Sequence, residues 1–466
     1  MATTTTPTPT PPPDSIKLAP LPPFKPDLYQ RAWQSVPHPT LPLLATAHQK
    51  SVTVFSLTTL SAHSALTDGH DRSVRSATWR PNLPPHKLCL VTGSFDSTAG
   101  LWRWTDDDNA AGDNLEVEVT AATVRSDNDS DSDNDGDKKD WELIIILDGH
   151  ENEIKSVAFS PSGQYLATCS RDKTVWIWED VGEAEEDDWE TIAVLNEHEA
   201  DVKAVAWCPQ PTEPTSRAGN RGRYSSDVLA SASYDNTVRV WREDGEDNWV
   251  CVAVLEGHDG TVWGLQWEPK PRPGGKFPRI LTWSADCTVR IWTLKEEEAD
   301  NDDEQSAARH QWGGALSGIP NTMRRSLKED WACTAILPKA HTRDIYAATW
   351  SPETGLVAST GSDGIIAIYR EEEEEEQQGG GEDEAVAELD GDDVPMTNGH
   401  TGESSSSSSS KWKLISSTPN GHGPYEINHI TWCKRYDQGC APERRGKEEM
   451  LVTTGDDGII RPWQVI

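Results

Sequence analysis

The chain has 466 residues, 42 of them basic and 78 acidic, giving a formal net charge of -36, with a modest 35% apolar content and an unusual 21 tryptophans. That balance excludes the bulk positive field by which proteins hold nucleic acid or anionic membrane. No apolar run approaches the roughly 18 residues of a membrane-spanning helix, and the N-terminus lacks the basic-then-apolar order of a secretory signal, so a soluble, non-secreted protein is expected.

Residues 1–13, MATTTTPTPTPPP, read as a disordered Pro/Thr-rich tail, and residues 14–466 as one folded unit. SIKLAPL (15–21) has the alternation of a strand, and LLATAHQKSVTVF (43–55) that of two strands around a short turn. From there one pattern recurs: VTGSFDSTAGLW (91–102), ATCSRDKTVWIW (167–178), ASASYDNTVRVW (230–241), LTWSADCTVRIW (281–292), ASTGSDGIIAIY (358–369) and VTTGDDGIIRPW (452–463). Each places Ser or Thr four residues before an Asp, and Trp or Tyr six residues after it. The sets are Thr92, Asp96 and Trp102; Thr168, Asp172 and Trp178; Ser231, Asp235 and Trp241; Thr282, Asp286 and Trp292; Ser359, Asp363 and Tyr369; and Thr453, Asp457 and Trp463. A histidine stands upstream of each: His70, His150, His198, His258, His341 and His422. Residues 43–55 then read as a degenerate seventh copy, with Ala45 at the Ser/Thr place, Gln49 for the Asp and Phe55 for the Trp.

The recurring residues are scaffold by their chemistry. A buried carboxylate must be hydrogen-bonded, His offers two ring nitrogens, and Ser/Thr and Trp supply a hydroxyl and an indole N–H. A network of Asp172, His150, Thr168 and Trp178 would pin the turn between the second and third inner strands to the loop before the first, and removing the Asp would strand donors at roughly 1 to 3 kcal/mol for each unsatisfied group. Six identical active sites in one chain are implausible, so no catalytic residue is assigned. The eight cysteines include no C-x-x-C pair, which favours free thiols and offers neither a metal nor an iron-sulfur ligand set.

The pattern resembles the WD40 repeat, and seven copies imply an all-β protein: a single closed seven-bladed β-propeller. Each repeat then gives an outer strand, such as WETIAVL (189–195), to the blade before it, and residues 15–21 close the ring on the last blade. Five acidic insertions (106–140, 180–188, 243–248, 296–304 and 371–403) hold 44 of the 78 acidic residues and three of the 42 basic ones, which leaves a body of 34 acidic against 39 basic residues. All five fall between third and outer strands, on the bottom face. Disorder is expected about 106–140, 296–330 and 371–410, where apolar residues are too few to offset ordering entropy. The SDNDSDSDNDGD run (126–137) lacks the closing Glu of a calcium loop.

Short loops face the opposite, top side, where two positions per blade are readable: the residue before the turn Asp, and the second residue of the innermost strand. Together they present Arg31, Trp33, Arg75, Phe95, Lys155, Arg171, Lys203, Tyr234, Trp263 and Tyr346, with His48 before the degenerate turn and Glu426, Asn428 and Asp456 on the last blade. Arginine mixed with exposed aromatics is the composition of a protein-binding hot spot, and its sign favours short acidic, aromatic ligands.

Over GHENEIKSVAFSPSGQYLATCSRDKTVWIWE (149–179), NEHEADVKAVAWCP (196–209), LASASYDNTVRVWRE (229–243), DNWVCVAVLEGHDGTVW (247–263), VRSATWRP (74–81), GSFDST (93–98) and YEINHITW (425–432), the chain resembles the WD40 scaffold of the cytosolic iron-sulfur protein assembly (CIA) targeting complex. The resemblance implies a non-enzymatic adaptor without a cofactor of its own. It would join a MIP18-family (DUF59) protein and a HEAT-repeat adaptor, receive clusters through an iron-only-hydrogenase-like carrier, and dock iron-sulfur apoprotein clients in the cytoplasm and the nucleus. Arg171, which the fold does not demand, is the residue expected to dock a client or partner. Two rival readings are an acidic WD40 histone-binding escort, motivated by the acidic runs, and a propeller hydrolase, for which no Ser-His-Asp set exists outside the repeated residues.

Overall fold

The computed structural model describes residues 16–84, 87–105, 141–182, 188–209, 228–244, 248–270, 278–295, 328–372 and 411–466. These fold into 28 strands and, among the described residues, no helix. The strands form seven antiparallel four-stranded sheets, each with its strands in sequential order except the last, which takes its outer strand from Leu18–Pro20. The protein is a single seven-bladed β-propeller. Its innermost strands are Ala32–Pro37, Val74–Trp79, Ile154–Phe159, Val202–Trp207, Val262–Trp267, Ile345–Trp350 and Ile427–Lys434. Each packs against the innermost strand of both neighbours, the first also against the last.

The burial pattern follows from the stacking of blades. Second strands such as Val228–Ser233 (VLASAS) are buried at every position, so small and β-branched residues fill them. Outer strands meet solvent, and in Trp189–Leu195 (WETIAVL) only the two ends are buried. The apolar core is therefore not central: seven clusters lie one in each gap between blades. Leu43, Val54, Val74 and Trp102 meet between blades 1 and 2, and Phe24, Leu44, Phe55 and Met450 between blades 7 and 1. Indole donors reinforce the gaps. Trp79 Nε1 donates to the Val36 carbonyl at 3.0 Å, and Trp207 and Trp267 donate to Ala158 and Ala206 at 2.9 Å.

Ring closure is made by the first strand: Leu18, Ala19 and Pro20 pair with Val465, Gln464 and Trp463. The Pro/Thr tail 1–13 and nearly all of 106–140, 296–330 and 371–410 lie outside the described residues. The exceptions are 328–330, which lead into Trp331–Ile336, and 371–372, which end Ile366–Glu372. The connection between Ile427–Lys434 and Glu449–Gly455 is described in full. Arg435 clasps Asp437 at 2.6 Å and Glu448 at 3.1 Å, while Tyr436 packs against the cluster between blades 7 and 1.

Blade 1 corrects the sequence expectation by one residue. Leu44 pairs with Phe55 as Leu166 pairs with Trp178, which puts Thr46, not Ala45, at the Ser/Thr place. The cause is a shorter turn: His48 pairs with Ser51 across Gln49 and Lys50 alone, so counting back from Gln49 overshoots. Fully buried Thr46 meets the Ser35 hydroxyl at 2.8 Å. His48 is accordingly a strand end whose Nε2 lies 2.8 Å from Thr53 Oγ1, not the residue preceding a turn acid.

Candidate functional site

In blade 3 the His150 Nδ1 lies 2.7 Å from Asp172, its Nε2 lies 2.8 Å from Thr168 Oγ1, and Trp178 Nε1 donates to the same hydroxyl at 3.0 Å. A proton on Nδ1 completes every bond. The same geometry holds His70, Asp96, Thr92 and Trp102; His198, Asp235, Ser231 and Trp241; His258, Asp286, Thr282 and Trp292; and His422, Asp457, Thr453 and Trp463. In blade 6, His341 joins Asp363 and Ser359 in the same way, and Tyr369 makes a longer 3.3 Å contact with the Ser359 hydroxyl. Burial works to raise the Asp172 carboxyl, but hydrogen bonds from His150 and Thr174 outweigh it and hold its pKa at about 2.

A fifth member of this network escaped the sequence reading. Ser94, Ser170, Ser233 and Ser284 are fully buried; each donates to a carbonyl of the upstream loop and accepts the N–H of the turn Asp. Its signal was available as a serine two residues before the Asp in four of the six repeats. Blades 6 and 7 have Gly361 and Gly455 there, where a Cβ would collide with the Asp344 and Glu426 carbonyls.

The functional surface comes from a second repeated feature. In all seven innermost strands the pairing with the second strand slips at the second residue, giving β-bulges at Trp33, Arg75, Lys155, Lys203, Trp263, Tyr346 and Asn428. A bulge re-aims a side chain out of the sheet alternation. All seven of these side chains, with Arg31, Phe95 and Glu426, line one cavity of about 280 Å³ at the mouth of the ring. Eight of the ten expected top-face residues thus converge. Arg171 and Tyr234, on turns, stand outside the lining; both are more than half exposed.

The cavity wall is a sequence of cations on aromatic faces. Arg31 and Arg75 lie 4.8 and 5.2 Å from the Trp33 ring, Lys155 lies 4.3 Å from Phe95, and Lys203 lies 5.1 Å from Tyr234 and 5.5 Å from Trp263. Trp33 meets Phe95 edge-on, and Trp263 meets Tyr346 likewise. The structure also adds acids that the sequence reading passed over. Glu153 takes Lys155 at 2.6 Å, Asp201 takes Lys203 at 3.2 Å, and Asp344 accepts the Trp263 indole N–H at 3.2 Å. Glu153 and Asp201 stand two residues before the lysine they hold, a spacing visible in the chain. Asp456 accepts Arg31 at 2.6 Å and the Asn428 amide at 2.8 Å.

Arg75 has no such acid among the described residues. Burial is the main cause that lowers its guanidinium pKa to about 10, with repulsion from Arg31 in the same direction. Burial likewise lowers the Lys203 ammonium against the pull of Asp201, helped by Lys155 and Arg75. Burial and the neighbouring Glu426 push the Tyr346 hydroxyl up to about 12. Such a site holds uncompensated positive charge beside desolvated ring faces, which fits a ligand carrying both carboxylates and an aromatic or apolar side chain. Among the described residues there is neither a group of three metal-ligating side chains nor a helix long and apolar enough to cross a membrane.

Comparison with known proteins matches the family model "WD domain, G-beta repeat" over residues 141–179, 189–242, 249–293 and 331–370. Among curated proteins, three called "Probable cytosolic iron-sulfur protein assembly protein 1" align almost end to end. That of Pyricularia oryzae is 59% identical, covering 97% of each chain; that of Chaetomium globosum is 56% identical over 96% of this chain and 95% of its own; that of Neurospora crassa is 54% identical over 99% and 98%. The chain belongs to the cytosolic iron-sulfur protein assembly protein 1 family. In this family member the repeated polar networks fix the turns of six blades, and the ring of bulged residues is where blade differs from blade.

Proposed function

We propose that the protein is a non-catalytic adaptor of the cytosolic iron-sulfur protein assembly machinery, docking partners and clients so that clusters reach cytosolic and nuclear apoproteins. The observation that carries this reading is the convergence of seven bulged residues from seven blades on one cavity whose walls set cations against aromatic rings. Nothing in the propeller's own stability calls for Arg75, a half-buried cation with no carboxylate beside it among the described residues, and a binding site accounts for it. The partners in this reading are a MIP18-family protein, a HEAT-repeat adaptor, an iron-only-hydrogenase-like carrier and iron-sulfur apoproteins, with the cluster as cargo and not as a resident group. Arg171, exposed on its turn and only loosely tied to Glu153 at 3.9 Å, serves docking beside the cavity.

The test is affinity purification of the tagged chain with identification of what it retains. Recovery of a MIP18-family protein with wild type, and weaker client recovery by folded Arg75→Glu and Arg171→Glu, is the expected result. Recovery of histones alone would replace this reading with that of a histone escort. Turnover of any substrate by the purified protein would overturn its non-catalytic part.

A further inference from the structure

Beside the central cavity lies a second, more open depression of about 470 Å³, lined by Gln49, Lys50, Asp71, Arg72, Ser73 and Phe95. It occupies the top of the gap between blades 1 and 2, and Phe95 lines both hollows. Its origin is the degeneracy of blade 1. In blade 3 the residues Arg171 to Thr174 form a turn pinned from beneath by His150, whereas in blade 1 only Gln49 and Lys50 join the two strands. On the top face other gaps are crossed by side chains. Arg31 reaches Asp456 between blades 1 and 7, Arg72 reaches Glu153 between blades 2 and 3, and Trp263 reaches Asp344 between blades 5 and 6. Between blades 1 and 2 the Trp33 ring meets Arg75 and Phe95 on the side of the central cavity, and farther out the contact is a backbone bond from Val74 N to the Gln49 carbonyl, with the space over it open.

The charges of the depression suit an anion. Lys50 is exposed and makes no ion pair among the described residues. Arg72 is fixed by its 2.7 Å bond to the Phe95 carbonyl and its 3.1 Å pair with Glu153, yet its side chain remains 57% exposed. Asp71 is the one carboxylate of the lining. The strand ends that flank the chain's acidic insertions, Thr105 and Glu142 among them, lie on the opposite face, away from this depression.

We infer that the two hollows are one binding path: an extended acidic peptide segment of a partner, anchored by an aromatic residue in the central cavity, leaves it across Phe95 and sets its next carboxylates against Lys50 and Arg72. This rests on the reading of the central cavity as a peptide-docking site. Degenerate blade 1 would then be the exit of that site. The outer subsite adds screened, exposed charge pairs of modest strength each, so two of them together give about a five- to tenfold gain in affinity that fades with salt.

The experiment uses the full chain and three end-blocked, dye-labelled peptides. One is Asp-Phe-Asp, a second carries a Gly-Glu-Glu-Gly-Glu-Glu extension, and a third has glutamine in place of those glutamates; extensions are made on either end. Anisotropy titrations are expected to show one glutamate-extended peptide binding about five- to tenfold tighter than its glutamine twin. Lys50→Glu should abolish that difference while leaving the short peptide's affinity and the melting temperature unchanged. Equal binding of the two extended peptides by wild type, or an undiminished difference in Lys50→Glu, would overturn the inference while leaving the central site intact. Failure of all the peptides to bind, or binding indifferent to Arg75→Ala, would instead remove the cavity reading on which it rests.

Discussion

Blades 1 and 3 are the same four-stranded sheet held in two ways. Blade 3 ties its turn to its upstream loop through a buried Asp–His pair, Thr168 and Trp178, with Ser170 closing the circuit. Blade 1 replaces all of this with a hydroxyl pair, Ser35 with Thr46, and an aromatic contact, Phe24 with Phe55 at 5.5 Å. A propeller blade thus does not need the polar network to form. What the network fixes is a longer turn in a defined place, and where it is missing the turn shrinks and the surface opens.

The largest test of that contrast is the removal of one anchor in each blade. Asp172→Ala leaves His150 Nδ1 and the Glu151 and Thr174 N–H groups without an acceptor, and denaturant unfolding should register a loss of about 2–4 kcal/mol. Thr46→Val in blade 1 removes one hydroxyl pair and should cost about 1 kcal/mol or less. Equal losses would mean that the polar network contributes no more than the contact replacing it.

Acid should distinguish the blades next. Burial holds His48 at about 4, and burial with Arg75 beside it holds His429 at about 3, both below the ordinary 6.5. The unfolded chain takes up those protons first, so the stability tied to these neutral rings is full above pH 6.5 and drains as pH falls toward 4 and 3. The slope is about 1.4 kcal/mol per pH unit for each proton. Asp172 acts later: its contribution is present above the ordinary carboxylate range and is lost only as pH falls toward 2. Melting curves of His429→Asn should therefore be flatter than wild type between pH 6.5 and 3, while those of Asp172→Asn should differ from wild type least at the acid end.

The cavity ring should respond with the opposite sign. Arg75→Met removes a half-buried cation without a carboxylate partner, so the melting temperature should hold or rise by a few degrees while peptide binding is lost. A fall as large as that of Asp172→Ala would make Arg75 an anchor and not a reader. Smallest of all, Arg171→Glu alters an exposed side chain and should leave the melting temperature within about 1 °C of wild type.

How much was legible depended on whether a feature repeats in the chain. The six polar networks could be read because Asp, Ser/Thr and Trp keep fixed offsets, and the ring closure because Leu18–Pro20 had no other blade to complete. The top-face residues were readable because strand order fixes the place of each second residue, although the bulge that turns it toward the axis leaves no sequence mark. Blade 1 was misread by one position since its turn lost a residue, and an offset rule cannot detect a deletion inside the interval it counts. The pairing of Arg31 with Asp456 joins residues at opposite ends of the chain, so no local pattern announces it.

Closure by Leu18–Pro20 also sets a schedule. During synthesis six sheets can acquire all four strands in turn, but the seventh must wait for Ile460–Val465 before residues made first find their partners. Until then the second-to-last element added has one neighbour in place of two, and both open flanks expose pleated, apolar surface. A nascent chain paused before residue 460 is therefore a circle with a sticky breach, and chaperone capture should be most frequent there. The residues between Pro20 and Ala32 span that breach and set Phe24 into the gap between blades 7 and 1, so they help to lock the finished ring.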